Sequence, residues 1–209
     1  VSPAGEATVL WAEEDPESGE SRIRASWRAA GGSWSAPTWL GSTPLLGWNP
    51  QLGVDSHGTV TAAWEQWTAG GLVIETASRQ AGGGWSAAHD LLTSTGEEHS
   101  PSNPDLAVDA DGDAAIAWFD EIEGEGNVIE AATRPAGGEW SAATRLSATG
   151  GEFRFPQVGI DQAGDAIAIW PRKSGGLWTV EASERPAAGA WTAATAISAP
   201  GAHTFNVAV

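Results

Sequence analysis

Short stretches of alternating apolar and polar residues recur along the whole chain, separated by segments rich in Gly, Pro, Asp and Asn. Alternation with a period of two marks a strand with one buried face. The pattern is clearest in the middle of the sequence. Residues 105–108 and 113–118 alternate on either side of Asp109-Ala110-Asp111-Gly112. That tetrapeptide reads as a tight turn, with Asp accepting backbone N–H groups and Gly taking the positive φ. Residues 127–134 and 140–146 alternate around a second turn, Pro135-Ala136-Gly137-Gly138. Residues 119–126 read as an acidic loop and residues 147–155 as a linker. No stretch carries a 3.6-residue apolar period, so no helix is expected.

This strand-turn-strand-loop-strand-turn-strand unit occurs four times. Trp11, Trp64, Trp118 and Trp170 stand 53, 54 and 52 residues apart, and Trp34, Trp85, Trp140 and Trp191 stand 51, 55 and 51 apart. Gly5, Gly58, Gly112 and Gly164 lie six residues before the first ladder, and Arg28, Arg79, Arg134 and Arg185 six before the second. Such a unit cannot bury its face alone and needs its neighbours. The expected architecture is an all-β, four-bladed β-propeller with four antiparallel strands per blade. The first unit lacks its first strand, while Phe205-Asn206-Val207-Ala208-Val209 matches Pro156-Gln157-Val158-Gly159-Ile160. The C-terminal strand is therefore expected to pair with the N-terminal blade and close the ring, removing its edges. One domain, 1–209, would comprise blade 1 (1–49 plus 205–209), blade 2 (50–103), blade 3 (104–155) and blade 4 (156–204). The small residues Gly53, Ala107, Gly159 and Ala208 fit the crowded middle of converging inner strands. Both Trp ladders read as core. Glu75, Glu130 and Glu181 each precede a strand-three Arg by four residues and read as in-blade ion pairs, a scaffold feature.

Composition narrows the partners. The 209 residues carry 27 acidic and 10 basic side chains, a net charge of −17, with 41% hydrophobic content sufficient for a core. That field repels phosphate backbones and anionic membranes, which argues against nucleic acid and membrane insertion. The absence of Cys excludes disulfides, thiolate metal sites and a cysteine nucleophile. A chain that opens at Val1 and contains no Met reads as a processed or excised product, and an extracellular or cell-surface setting is expected.

The turn between strands three and four, with its Trp, reads Trp27-Arg-Ala-Ala-Gly31-Gly-Ser-Trp34, Ser78-Arg-Gln-Ala-Gly82-Gly-Gly-Trp85, Thr133-Arg-Pro-Ala-Gly137-Gly-Glu-Trp140 and Glu184-Arg-Pro-Ala-Ala188-Gly-Ala-Trp191. These hairpins resemble the BNR, or Asp-box, repeat of sialidase-like propellers, whose box reads Ser-x-Asp-x-Gly-x-Thr-Trp. The box Asp is replaced by Ala29, Gln80, Pro135 and Pro186. The resemblance implies a propeller and sugar-related work. It does not extend to sialidase chemistry, which uses a Tyr nucleophile, because the chain has no Tyr.

In a propeller, the loops joining strands two and three share a face with the blade linkers, and here these segments vary while the opposite turns do not. Varied loops on a repeated scaffold are where function concentrates. Trp48, Trp67, His99, Phe119, Arg154, Arg172, His203 and Phe205 are candidate ligand-binding residues, since aromatic faces with a few polar groups suit a sugar or peptide. Gln51, Asp105, Gln157 and Asn206 open the innermost strands and could line a central channel holding water or a single cation. No cofactor and no specific metal set is indicated. The Asp109-x-Asp111-x-Asp113 run reads as a turn, and the acidic runs 13–20 and 120–125 as solvated rims. The expected function is a non-catalytic recognition domain for a glycan or protein ligand. The alternatives are a glycan-active hydrolase or lyase using carboxylates among Glu98, Asp120 and Glu121, or a structural unit of a larger surface protein. A monomer is expected, with a dimer forming eight blades as the alternative.

Overall fold

The computed structural model describes residues 1–43, 46–91, 99–199 and 207–209. Among these residues every regular element is a strand, and the strands form four antiparallel sheets. The first holds β1 (Ala7–Glu14), β2 (Ser21–Arg28) and β3 (Thr38–Trp39). The second holds β4 (Gly47–Val54), β5 (Val60–Thr68), β6 (Gly71–Arg79) and β7 (His89–Asp90). The third holds β8 (His99–Val108), β9 (Ala114–Ile122), β10 (Gly126–Arg134) and β11 (Thr144–Arg145). In the fourth, β12 (Glu152–Phe153) and β13 (Gln157–Ile160) both pair with β14 (Ala166–Ser174), followed by β15 (Leu177–Arg185) and β16 (Thr195–Ala196).

The predicted turns have the predicted cause. Gly58, Gly112 and Gly164 take φ of 83°, 100° and 80°. Asp55, Asp109 and Asp161 each accept backbone N–H groups across their turn through Oδ1, including those of Thr59, Asp113 and Asp165 at 2.7, 2.9 and 3.0 Å.

The sheets pack face on face. Trp64 shares a core with Ile23, Ala25 and Leu40 of the first sheet, Trp118 with Ala63, Ile74 and Leu91 of the second, and Trp170 with Ala115, Ala117, Ile129 and Ala131 of the third. All three indoles are 0% exposed. The other ladder is core only in part. Trp34 is 46% exposed, and Trp85, Trp140 and Trp191 are half-buried. The fourth strand of each sheet pairs over only two residues. Its Trp therefore lies at the rim, where Arg28 stacks over Trp34 at 5.0 Å and Arg134 over Trp140 at 5.1 Å.

Three further expectations are corrected. Strand two runs past its Trp, so Phe119, Asp120 and Glu121 belong to β9 and Trp67 to β5. Arg79 and Arg134 do not pair with the Glu four residues earlier, because that spacing along a strand is about 13 Å. They reach the preceding sheet instead, Arg79 to Glu6 at 2.7 Å and Arg134 to Ser78 and Thr61 at 3.0 and 2.6 Å. Nor do the described residues close the ring. Val207–Val209 lies outside any strand, Phe205 and Asn206 lie outside the described residues, and β1 is an edge strand. A Cβ built on Gly159 would meet Val209 Cγ2 at 3.1 Å, as one on Gly53 would meet Val108. The tail thus packs on the fourth sheet, where the inner strand of a following unit would lie.

Candidate active site

Each of β5, β9 and β14 places its Trp directly across from a Glu of the next strand: Trp64 from Glu75, Trp118 from Glu130, Trp170 from Glu181. A buried carboxylate requires hydrogen-bond partners. In the second sheet Glu75 accepts from Trp64 Nε1 at 3.0 Å and from the Ser42 backbone and hydroxyl. In the fourth, Glu181 accepts from Trp170 Nε1 at 3.2 Å and from Arg172 at 2.8 Å. In the first, Arg24 stands in for the Glu and pairs with Glu13 at 3.1 Å.

The third sheet departs from this rule. Two residues after Trp118 the chain carries Asp120, where the other units carry Glu13, Gln66 and Arg172. Asp120 is 0% exposed and stands beside Glu130, which is 7% exposed. Its Oδ2 lies 2.6 Å from His99 Nδ1, and its Oδ1 accepts the Ser100 N–H at 2.9 Å. Ligating atoms of His99, Asp120 and Glu130 lie within 4.8 Å of one another, the one such group of three among the described residues. Glu130 Oε2 and Trp118 Nε1, both buried, make no hydrogen bond of ordinary geometry, although the indole N–H still stands close enough to pull the Glu130 carboxyl down weakly. Burial pushes the Asp120 carboxyl up against the pull of His99. Burial and then the Asp120 charge push the Glu130 carboxyl up. One nitrogen and two carboxylates could hold a divalent cation. The direct His99–Asp120 contact also makes a dyad suited to proton transfer.

The neighbouring fourth sheet carries a cleft of about 470 Å³ lined by Glu152, Phe153, Arg154, Phe155, Gln157, Trp178 and Val207. Arg154 is exposed and its guanidinium lies 4.7 Å from the Trp178 ring. Phe155 is 58% exposed.

The structure distributes the remaining candidates. Arg172 is half-buried against Glu181, and Trp48 and Phe119 are half-buried on β4 and β9. Trp67 is 47% exposed, and Glu121 is exposed near the end of β9. Trp48 does not line the Arg154 cleft. Glu98, His203, Phe205 and Asn206 lie outside the described residues. Of the channel set, Asp105 Oδ2 accepts the Val158 N–H at 2.7 Å and so links β8 to β13, while Gln157 donates to Pro156 O at 3.0 Å and Gln51 is half-buried on β4. Sequence reasoning named His99 and Asp120 but assigned Glu130 to the scaffold, because Glu recurs there in three units. The usable signal was the position two residues after each Trp, which is acidic in a unit that also keeps the strand-three Glu only in the third unit.

No family model and no curated protein sequence matches the chain. Solved structures do. A protein of unknown function from Dyadobacter fermentans matches with a TM-score of 0.59 and 14% identity, over 93% of this chain and 66% of that one. The α-L-arabinanase of Penicillium chrysogenum, complexed with arabinobiose, matches with a TM-score of 0.56 and 14% identity, over 96% and 62%. An ulvan lyase matches with a TM-score of 0.56 and 10% identity, over 91% and 55%. The chain spans no more than about two thirds of the length of these structures. At this identity the likeness shows the fold, that of propeller-type proteins. The expectation of a non-catalytic recognition domain is corrected by the same finding, because the structures with this fold are mainly glycan-active enzymes.

Proposed function

We propose that this chain is a glycan-active enzyme, a hydrolase or lyase, whose chemistry is carried by His99 backed by Asp120 and Glu130. The observation that supports it is the cluster itself: two buried carboxylates behind one partly exposed imidazole, found in one repeat unit and replaced at the matching positions of the others by hydrogen-bonded or ion-paired side chains. The His99 side chain is 26% exposed and that of Asp120 is 0% exposed. The carboxylates therefore act through the imidazole and not on the sugar directly. His99 is the catalytic residue, and Asp120 and Glu130 are positioning residues.

With Nδ1 engaged by Asp120, Nε2 is the nitrogen left to meet a substrate. An imidazole donating Nδ1–H to a buried carboxylate is held in one tautomer and orientation, and the imidazolium formed on taking a proton is stabilised. Such a base can take the proton of an attacking water, giving hydrolysis, or of a sugar carbon beside a carboxylate, giving elimination. Burial and then the neighbouring Asp120 charge favour the neutral form of Glu130 behind Asp120. An extracellular or cell-surface setting, where polysaccharides are met, goes with this reading.

The test is turnover of a polysaccharide panel, read by new reducing ends and by the ultraviolet absorbance of an eliminated C=C bond. His99→Ala and Asp120→Asn should each lower kcat by about 10²–10⁴. Both variants should keep the wild-type melting temperature to within a few degrees. A wild-type rate in His99→Ala, or no turnover of any polysaccharide by the parent protein, would reject the proposal.

A further inference from the structure

The three junctions between neighbouring sheets are made of the same parts, and the outward faces of the first and fourth sheets carry the two halves of one more. In each junction the first-ladder Trp of a sheet enters a socket on the sheet before it. Trp64 sits with Ile23, Ala25 and Leu40, Trp118 with Ile74 and Leu91, and Trp170 with Ile129, Ala131 and Leu146. The second-ladder Trp of the entering sheet, Trp85, Trp140 or Trp191, packs on the same core. Leu40, Leu91 and Leu146, which close these sockets, are only 7%, 8% and 6% exposed. A strand-three Arg also crosses, Arg79 to Glu6 in the first junction and Arg134 to Ser78 and Thr61 in the second.

The fourth sheet presents a socket at the same repeat positions, Val180, Ala182 and Ile197. Val207 packs on Val180 and Ala182 as Leu106 packs on the core around Ile74 and Leu91, but Ile197 stays 60% exposed. Beside the socket is a hollow of about 660 Å³ lined by Ile167, Glu184 and Val209. These stand where Thr61, Ser78 and Val108 surround Arg134 in the second junction. The hollow is therefore the seat of a strand-three Arg, with the exposed carboxylate of Glu184 in place of a hydroxyl. The first sheet presents the entering half. Val9 and Trp34 are 42% and 46% exposed, Trp11 is half-buried, and the exposed Arg28 stacks over Trp34 at 5.0 Å. β1 is an edge strand, whereas β5, β9 and β14 are each covered by an inner strand.

We infer that the fourth-sheet face of one copy receives the first sheet of a second copy, and that two copies joined at both ends close a ring of eight units. The chain's own first sheet is not the occupant in this structure, because Val9, Trp34 and Ile197 are exposed together. A second copy carries the same entering half and extends the junction already made three times. Trp11 then enters the socket, Arg28 reaches Glu184, and Val207–Val209, which lies where the inner strand of a following unit belongs, stands beside the open edge of β1. The junction covers apolar surface that is costly to leave in water and ends an edge prone to uncontrolled pairing. A head-to-tail contact makes a closed ring when its rotation brings the last face back to the first. The inference stands apart from the enzyme reading.

The experiment follows the mass of the chain by light scattering over a dilution series, expecting a dimer that dissociates to single chains. Below the midpoint the single chain has Trp11 half-buried, and that is the state in which its stability contribution is compared with that of Trp118. Trp11→Ala and Glu184→Arg should each weaken the dimer by at least about tenfold, the first by emptying the socket and the second by setting like charges against each other. Adding Arg28→Glu to Glu184→Arg should restore most of the loss, which a merely misfolded variant would not do. Because the chain has no Cys, Arg28→Cys and Glu184→Cys can be placed in separate chains, mixed, and joined by a short thiol crosslinker. A covalent dimer of the two variants supports the inference. A monomer mass at every concentration overturns it. So does a crosslink that forms within one chain carrying both substitutions, which would mean that the chain closes on itself, or a mass that grows past the dimer, which would mean an open array.

Discussion

The third and fourth sheets are built from the same unit, yet they treat the same buried position in opposite ways. In the fourth, Glu181 is satisfied on both oxygens, by the Trp170 indole and by Arg172. In the third, Glu130 stands beside a second acid, and neither its Oε2 nor the Trp118 N–H makes a hydrogen bond of ordinary geometry. A repeat establishes what stability asks of a position, because several copies solve the same packing problem. The copy that gives up the solution shows where another demand operates. Here the loss of satisfied hydrogen bonds coincides with a histidine reaching the surface, and the neighbouring copy spends its variation on cations and exposed aromatic rings.

The largest test of this comparison concerns the scaffold that both sheets share. Trp118→Ala should cost about 3–5 kcal/mol, the usual loss for a fully buried Trp. Trp11→Ala should cost clearly less, because Trp11 lies on the edge strand β1 and is half-buried. Chemical denaturation of both variants checks the pair. Equal losses would mean that the first sheet is covered in solution by something absent from this structure.

That scaffold was largely legible in the sequence. The buried Trp64, Trp118 and Trp170 of the first ladder, the Asp-Gly turns and the alternating second and third strands follow from local rules, and they formed where those rules place them. The fourth strands did not extend over residues 140–146 as alternation suggested. As outermost strands they pair over two residues, which limits the exposed edge. The acidic loop 119–126 proved to be mostly strand: burial alternates there, with Asp120 and Ile122 inward and Phe119 and Glu121 outward, but an acid at an inward position breaks the apolar pattern a sequence displays. The site was half legible. His99 and Asp120 stood out as chemistry on a variable face, but Glu130 was hidden by its own repetition. Only the cross-strand pairing of β9 with β10 reveals that the third copy of a scaffold residue has acquired a different neighbour.

A subtler pair of variants separates scaffold from site at the same repeat position. Glu75→Gln replaces an acceptor of the Trp64 indole and of the Ser42 backbone and hydroxyl, and should destabilise the chain by roughly 1–3 kcal/mol. Glu130→Gln removes an acid that stands beside Asp120 and gives the Trp118 indole an amide oxygen in place of a carboxylate that makes no well-formed bond to it. It should leave stability unchanged or raise it by up to about 1 kcal/mol, while slowing turnover. Stability gained at the expense of activity is expected where a site carries strain. If both variants lose stability equally, the third sheet is scaffold like the second.

The smallest effect is also the most specific, because it reads the buried acids through pH. Burial is the leading cause of raised pKa values at Glu75, Asp105, Asp120 and Glu130. A carboxyl raised on folding contributes stability that is complete below its ordinary range and lost as pH climbs through the raised value. Glu6 behaves in the opposite sense. The Arg79 hydrogen bond holds it low, so its contribution is present above the ordinary range and lost as pH falls through the lowered value. Asp15 is held low in the same way by the backbone N–H groups of Ser18 and Glu17, and both lowered groups act below the ordinary carboxylate range, so the four raised groups predict a melting temperature that falls, by on the order of a few degrees, as pH rises from just above that range toward neutrality. Self-repulsion of the net charge works in the same direction, so the slope alone does not locate the cause. Glu130→Gln does locate it. It deletes one raised acid and relieves Asp120 of a neighbour, and should visibly flatten the slope. Exchanging the exposed Glu121 for Gln removes the same charge and should leave most of the slope in place. Equal flattening by the two variants would assign the pH dependence to overall charge and deny the third sheet its special pair of acids.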